Sequence, residues 1–212
     1  MTFDTKRTAD YSPLVVHFTK SSRMVCDNLI VGGDPLFEYK QSNAKERLMS
    51  ILEERKIFDS PMPFLPLQPR AVCFTECIWD GLASLSDQYS PYGIVFSKRM
   101  IFDLGGGPAL YVRGDAMAVD GNQIPVRLHP FIAPFDPDAA IKPGVPLDWL
   151  HEREWRLPKS LEFSFANIEY VLVGSIKEAS EFVHQVGAQQ LPESKIIPME
   201  VYRNIKQSWS LQ

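Results

Sequence analysis

Hydrophobic positions along this chain fall into short runs that predict mainly strands. Each run is apolar or alternates between apolar and polar residues, and turn-forming residues such as glycine and proline bound it. The runs cover residues 14–19, 71–75, 92–97, 109–113, 149–157, 168–173 and 196–201. Because they are separated by connections of very different length, they do not show the regular strand and helix alternation of a doubly wound fold.

Two stretches have helical periodicity instead. Residues 43–55 place Leu48, Ile51 and Leu52 on one stripe, and Asn43 is a suitable N-cap. Residues 176–186 form a second amphipathic helix after Gly174, and residues 80–85 suggest a helical turn. The order of elements predicts an α+β fold with mixed, largely antiparallel sheets and a few packed helices.

Proline and glycine mark the irregular segments. The stretch 61–69 is too rich in proline for regular structure and is predicted to be a loop. Residues 125–146 are also rich in proline and are predicted to be a long surface loop. The run Gly105–Gly107 could approach a phosphate, but it lacks the spacing of a phosphate-binding loop, so a flexible strand connection is the favoured interpretation.

Length and composition predict one soluble domain. The 212 residues suit a single domain with a core over about 13–203 and flexible tails at 1–12 and 206–212. A net charge of -4 argues against a broad nucleic-acid-binding face. Three cysteines, no secretion signal and no long apolar run predict a reduced, cytoplasmic protein that does not contact a membrane.

Two polar islands on apolar runs carry the candidate chemistry. His17 and Thr19 lie two residues apart on the first predicted strand, so they share a face. In the segment 151–158, Glu152 and Glu154 would lie together on one face of an extended strand, with Trp155 and Arg156 assigned to the other. A carboxylate beside a cleaved glycosidic bond offsets the charge of an oxocarbenium-like state. Both islands also have a purely structural interpretation, a satisfied polar pair and an exposed salt-bridged face.

The sequence predicts no metal site. Cys73 and Cys77 are four residues apart, but no second pair of cysteine or histidine residues accompanies them at metal-ligand spacing. We therefore interpret both cysteines as small buried hydrophobic residues.

Several segments together resemble a bacterial family of little-characterised proteins that includes the AbiGi-type proteins of abortive phage resistance. The resemblance rests on HFT at 17–19, the helix with Ile51, Leu52 and Ile57, VCFTE at 72–76, YGIVFSK at 92–98, GGGPALY at 105–111 and EREWR at 152–156. It extends from about residue 17 to residue 174. It implies a role in phage defence or a toxin–antitoxin system, with a cognate toxin or antitoxin as a partner.

The chain also looks like the opening of ADP-ribosyltransferase-like folds, including the DarT-type DNA transferases and the tRNA 2'-phosphotransferases. That resemblance implies NAD as a substrate, with His17 and Thr19 holding a ribose and Phe74 or Tyr92 covering the nicotinamide. Glu154 would be the catalytic glutamate, Glu152 its partner, and Arg156 would pair with a phosphate or brace Glu154. The sequence departs from the pattern at Phe18, where a small residue is common, and in the long insertion 21–42.

Three functions remain open at this level. The first is a transferase that cleaves NAD and modifies a nucleic acid or protein. The second is a non-catalytic antitoxin or phage-sensing protein with the same fold. The third is a hydrolase of nucleotides or nucleic acids that uses the same carboxylates. A catalytic Glu154 predicts that Glu154→Gln abolishes activity without changing the melting temperature.

Overall fold

The computed structural model describes residues 11–20, 43–62, 65, 67–77, 79–115, 123–142, 145–148, 150–187, 190–202 and 204. The predicted tails lie outside these residues except for Tyr11 and Ser12. The described chain is α+β with mostly antiparallel strands and several helices, which confirms the predicted α+β class. None of its described helices is long and apolar enough to cross a membrane.

The strands in chain order are β1 Leu14–Phe18, β2 Lys56–Ile57, β3 Ser60–Pro61, β4 Arg70–Glu76, β5 Gly93–Ser97, β6 Gly107–Pro108, β7 Leu110–Arg113, β8 Ile132–Lys142, β9 Val145–Leu147, β10 Glu154–Leu157, β11 Leu161–Glu162, β12 Tyr170–Val173 and β13 Ile196–Pro198. The helices are α1 Ala44–Glu54, α2 Trp79–Gln88, α3 Lys98–Asp103 and α4 Ile176–Val186. Short 3-10 turns lie at Val126–Phe131, Leu150–Glu152, Phe165–Asn167 and Glu193–Lys195.

The chain, which we predicted to be one domain, forms two compact units built from interleaved segments. The first unit comprises Met1–His17, Arg55–Leu82 and Val95–Glu169, and the second comprises Phe18–Glu54, Ala83–Ile94 and Tyr170–Gln212. Because each unit draws on three separate segments, neither could be read from the chain as a continuous domain.

The first unit is organised on a sheet with the strand order β5-β1-β4-β10-β6. Strands β1, β10 and β3 each pair with β4 in antiparallel fashion, and β10 pairs the same way with β6. Buried aliphatic and aromatic residues fill this sheet, including Val15, Val72, Phe74, Phe96 and Leu157. Strand β4 is central because it lies between β1 and β10, and five of its seven residues are buried.

The second unit contains the parallel pair β12·β13 and the helices α1 and α4. Helix α1 buries Leu48 and Leu52, as the predicted stripe requires. Helix α4 begins with a capping box in which the Ser175 hydroxyl accepts from the Glu178 amide and the Glu178 carboxylate accepts from the Ser175 amide. Both predicted helices are therefore confirmed, within one residue of their predicted bounds.

Outside the segment 149–157, two predictions about elements were wrong and one helix was missed. The segment 125–146 is not a loop, because it forms a 3-10 turn and the strands β8 and β9, with β8 pairing in parallel with β7. The last predicted strand stops at Pro198, and helix begins at Met199. Helix α3 was missed because its six residues directly continue β5 and are capped by Ser97. Strand pairing decided the conformation of β8, and a local cap favours that of α3.

Candidate active site

The segment with the two candidate glutamates is not a continuous strand. Leu150–Glu152 forms a 3-10 turn, Arg153 has a left-handed φ of 47°, and β10 begins only at Glu154. The expectation that Glu152 and Glu154 share one face of an extended strand is therefore wrong. The left-handed residue between them interrupts the extended alternation of faces, and such a conformation is uncommon for a residue that is not glycine.

Arg156 shares the face of Glu154, which corrects the predicted orientation. Within β10, residues two apart point the same way. The Arg156 guanidinium donates to both carboxylate oxygens of Glu154, with Nε–Oε1 at 2.9 Å and Nη2–Oε2 at 2.8 Å. Arg156 also donates to the carbonyls of Pro130 and Ile132 and to the Met62 sulfur. The pair is buried, with side chains 2% and 10% exposed, so breaking it would be costly.

Cys73 lies on the same face, directly opposite Arg156 in the β4–β10 register. The thiol side chain is exposed, although Val72 and Phe74 on either side of it are buried. Even so, desolvation by the surrounding protein is the largest cause that raises its pKa, followed by the Glu154 carboxylate. Cys73 is therefore an exposed residue with protein groups closely around it. The prediction that Cys73 is buried was wrong, whereas the prediction that Cys77 is buried is confirmed.

Both candidate glutamates carry negative charge near Cys73. After desolvation, the charge of Glu154 is the largest cause that raises the Cys73 pKa, and the charge of Glu152 makes a smaller contribution in the same direction. Both glutamates are buried. The structure therefore brings Glu154 and Arg156 together with Cys73, which the sequence did not identify as part of a site, and Glu152 acts on the same thiol by its charge.

Tyr111 completes this cluster. Its hydroxyl accepts a hydrogen bond from the Glu154 backbone amide at 3.2 Å. Partial burial, and then the nearby Glu154 carboxylate, raise the pKa of Tyr111. Tyr111 was not predicted to belong to a site, and in the sequence it is only the last residue of the segment GGGPALY.

His17 and Phe74 lie on the opposite face of the sheet. Their rings meet edge to face with centroids 5.9 Å apart, and Phe74 stands opposite Trp155, which points away from Glu154 and Arg156. The His17 Nδ1 atom is 2.9 Å from the Cys73 carbonyl oxygen. Phe74 is 1% exposed and also contacts Phe96. It is a core residue and is not placed to cover a nicotinamide ring.

Thr19 and Tyr92 come together in the second unit. The Thr19 amide donates to the Tyr92 carbonyl at 3.0 Å, and the Thr19 hydroxyl donates to the Ala44 carbonyl at 2.7 Å. The Tyr92 hydroxyl donates to Glu178 at 2.7 Å, and burial together with Glu178 raises its pKa to about 12. Tyr92 lines an open cleft of about 500 Å³, whose other lining residues are Asn43, Ala44, Lys45, Ser86, Asp87, Tyr89, Ser90 and Pro91.

A second buried ion pair in the first unit was not predicted. Lys98 Nζ is 2.8 Å from Glu76 Oε1, and the two side chains are 3% and 8% exposed. The rings of Tyr11 and Trp155 lie 4.4 and 5.4 Å from the ammonium. The signal was present, because Glu76 and Lys98 are the last residues of the segments VCFTE and YGIVFSK.

Within the run Gly105–Gly107, the middle residue has a steric role. A Cβ on Gly106 would lie 2.6 Å from Ile101 Cγ2 and 3.0 Å from the Arg156 carbonyl oxygen, so this glycine permits close packing against β10.

Among the residues that the structure describes, no group of three or more histidine, cysteine, aspartate or glutamate side chains could hold a metal ion.

Comparisons with known proteins do not extend this picture. No family model, no curated protein and no solved structure matches the chain.

Proposed function

We propose that this chain is an ADP-ribosyltransferase-like enzyme that cleaves NAD and modifies a nucleic acid or protein, in phage defence or a toxin–antitoxin system. The observation that carries the proposal is the buried Glu154–Arg156 pair, which lies on one face of the sheet beside the exposed residue Cys73. Buried charged groups beside a position that solvent reaches are candidates for a reaction centre. The choice of NAD comes from the resemblance of the segments that contain His17, Thr19 and Glu154.

The two glutamates suit different roles in such a reaction. Cleavage of the bond to nicotinamide leaves positive charge on the sugar, and the fixed carboxylate of Glu154 would stabilise that charge. Arg156 holds both oxygens of Glu154, so the carboxylate needs little reorganisation during the reaction. Glu152 would accept the proton of the acceptor group as that group bonds to the sugar.

The proposal changes the roles expected for the aromatic residues. Phe74 is buried beneath the opposite face of the sheet, so we assign it to the core and not to nicotinamide binding. Ribose binding by His17 and Thr19 and ring stacking by Tyr92 stay predictions. The contacts observed for these three residues are made to protein groups.

The test is nicotinamide release from NAD by the purified chain. We expect release by the wild type and a loss of at least about a hundredfold in Glu154→Gln, the scale on which lost electrostatic stabilisation acts. Glu152→Gln should lower acceptor modification more than NAD cleavage. Glu53→Gln, an exposed change on α1, is the matched control and should keep full activity.

Each rate must be referred to the folded fraction of the protein. Glu154→Gln removes the charge opposite the buried Arg156, so we expect it to lower the free energy of unfolding by several kcal/mol. The melting temperature should therefore fall as well, in contrast to the simple expectation from sequence. Unchanged nicotinamide release from folded Glu154→Gln protein would rule out the proposed role of Glu154.

A second candidate function is a non-catalytic antitoxin or phage-sensing protein with the same fold. It is favoured by one observation, that Arg156 occupies both carboxylate oxygens of Glu154 in a largely buried pair. Arg156 also bonds to the carbonyls of Pro130 and Ile132, so the pair links β10 to the turn Val126–Phe131 and to β8. This structural role requires no catalysis. No nicotinamide release by the folded wild type at millimolar NAD would select this second function.

A further inference from the structure

We infer that Tyr111 is a positioning residue for Glu154, an inference that rests on the proposed function and names a further member of its site. Glu154 is the first residue of β10 and directly follows the left-handed Arg153. The residues before it form a 3-10 turn and not a strand, so they cannot continue the pairing of β10. The position of the Glu154 backbone therefore depends on contacts from neighbouring elements.

One short segment supplies those contacts. The Ala109 amide donates to the Glu154 carbonyl at 2.7 Å, and the Tyr111 hydroxyl accepts from the Glu154 amide at 3.2 Å. Strand β6 pairs with β10 at Trp155 and Arg156. At Glu154 the Tyr111 hydroxyl takes the place of the carbonyl that a neighbouring strand would offer to the backbone amide. Both backbone groups of Glu154 are fixed by residues 109–111.

The side chain of Glu154 is fixed separately by Arg156. Removing the Tyr111 hydroxyl would leave the Glu154 carboxylate paired and the Glu154 amide without its acceptor. The expected result is a small displacement of the catalytic group and not its loss. A misplacement of the order of 1 Å can lower the rate of an oriented reaction by up to about a hundredfold.

The test compares Tyr111→Phe with Tyr170→Phe, a matched change on β12. With NAD as the probe, we expect Tyr111→Phe to lower kcat at least about tenfold and to change KM less than about twofold, since substrate binding should not depend on this hydroxyl. We also expect the Glu154 amide to exchange with deuterium faster in Tyr111→Phe than in wild type. Tyr170→Phe should change none of these quantities.

The outcomes separate the inference from the proposed function. An active wild type with unchanged kcat in Tyr111→Phe would overturn the inference alone. A loss of activity that only follows the unfolded fraction, with normal exchange at Glu154, would also overturn it, because Tyr111 would then be merely structural. An inactive wild type would overturn the proposed function, and the positioning role would fall with it.

Discussion

Gly106 and Gly107 are adjacent residues with different steric surroundings. A Cβ on Gly106 would meet Ile101 Cγ2 at 2.6 Å and the Ile101 carbonyl oxygen at 2.9 Å, whereas the nearest atom to one on Gly107 is a Phe131 ring carbon at 3.7 Å. The first two distances are shorter than a normal van der Waals contact. One of the two atoms is the Ile101 carbonyl oxygen, which cannot move without displacing the backbone of α3. The third is an ordinary van der Waals contact.

We therefore predict that Gly106→Ala destabilises the protein by about 1–3 kcal/mol, the usual cost of overpacking. Gly107→Ala, the matched control, should change stability by less than about 1 kcal/mol. Urea unfolding of both variants measures the difference. Equal effects of the two substitutions would show that the close approach of Gly106 to Ile101 and β10 is not what requires glycine.

At the scale of elements, Glu178 joins α4 to two other segments of the second unit. Its carboxylate accepts from the Ser175 amide in the capping box, from the Tyr92 hydroxyl at 2.7 Å and from Lys45 at 3.1 Å. Partial burial acts to raise the pKa of Glu178, but the bonds from Tyr92 and Lys45 outweigh it and hold that pKa below its ordinary value. The helix cap is thus also a tertiary contact.

This lowered pKa predicts a pH dependence of stability. A carboxyl group with a lower pKa in the folded state stabilises the protein above its unfolded-state pKa, and the contribution is lost as the pH falls through the folded-state pKa. Wild type should exceed Glu178→Gln in unfolding free energy by about 1 kcal/mol at pH 7. The difference should shrink below the ordinary pKa of 4.5.

Denaturant unfolding at a series of pH values measures this difference. Glu53→Gln, which removes one exposed negative charge from α1, serves as the control for net charge. If the difference between wild type and Glu178→Gln stayed constant down to pH 3, the ionised Glu178 carboxylate would not be the group that stabilises these contacts.

At the scale of the whole molecule, the Glu76–Lys98 pair joins distant parts of the sequence. Glu76 ends β4, Lys98 begins α3, and the Ser12 amide donates to Glu76 Oε1 at 2.9 Å. The Lys98 amide also donates to the Pro13 carbonyl at 2.8 Å. The pair therefore fixes the entry of the chain into β1 against two other elements of the first unit.

We predict strong non-additivity at this pair. Glu76→Leu leaves the Lys98 charge buried without its partner and should cost about 3–5 kcal/mol, because breaking a buried pair is strongly unfavourable. Glu76→Leu combined with Lys98→Met should cost less than Glu76→Leu alone, since neither charge of this pair is then left buried without its partner. A double-mutant cycle by urea unfolding gives the coupling energy. Simple addition of the two single effects would show that the ammonium is hydrated and not held by Glu76.

Local pattern predicted the regular elements well, because their apolar residues repeat with the period of the element. The stripe of α1, the amphipathic helix α4 and the strand β4 follow directly from that periodicity. The same reasoning failed at residues 125–146, where prolines suggested a loop. Strand β8 forms there because its partners β7 and β9 come from elsewhere in the chain.

The sequence by itself determined the α+β class, the two main helices, most of the strands and the residue types that carry charge on apolar runs. Only the tertiary structure decided which of those charges meet. It set Glu154 and Arg156 beside Cys73 on one face, and His17 with Phe74 on the other, because strand register assigns every second residue to a face. One left-handed residue, Arg153, ends the 3-10 turn before β10, so Glu152 and Glu154 do not share the extended face that their spacing predicted. Register depends on partners distant in sequence, so periodicity alone cannot give it.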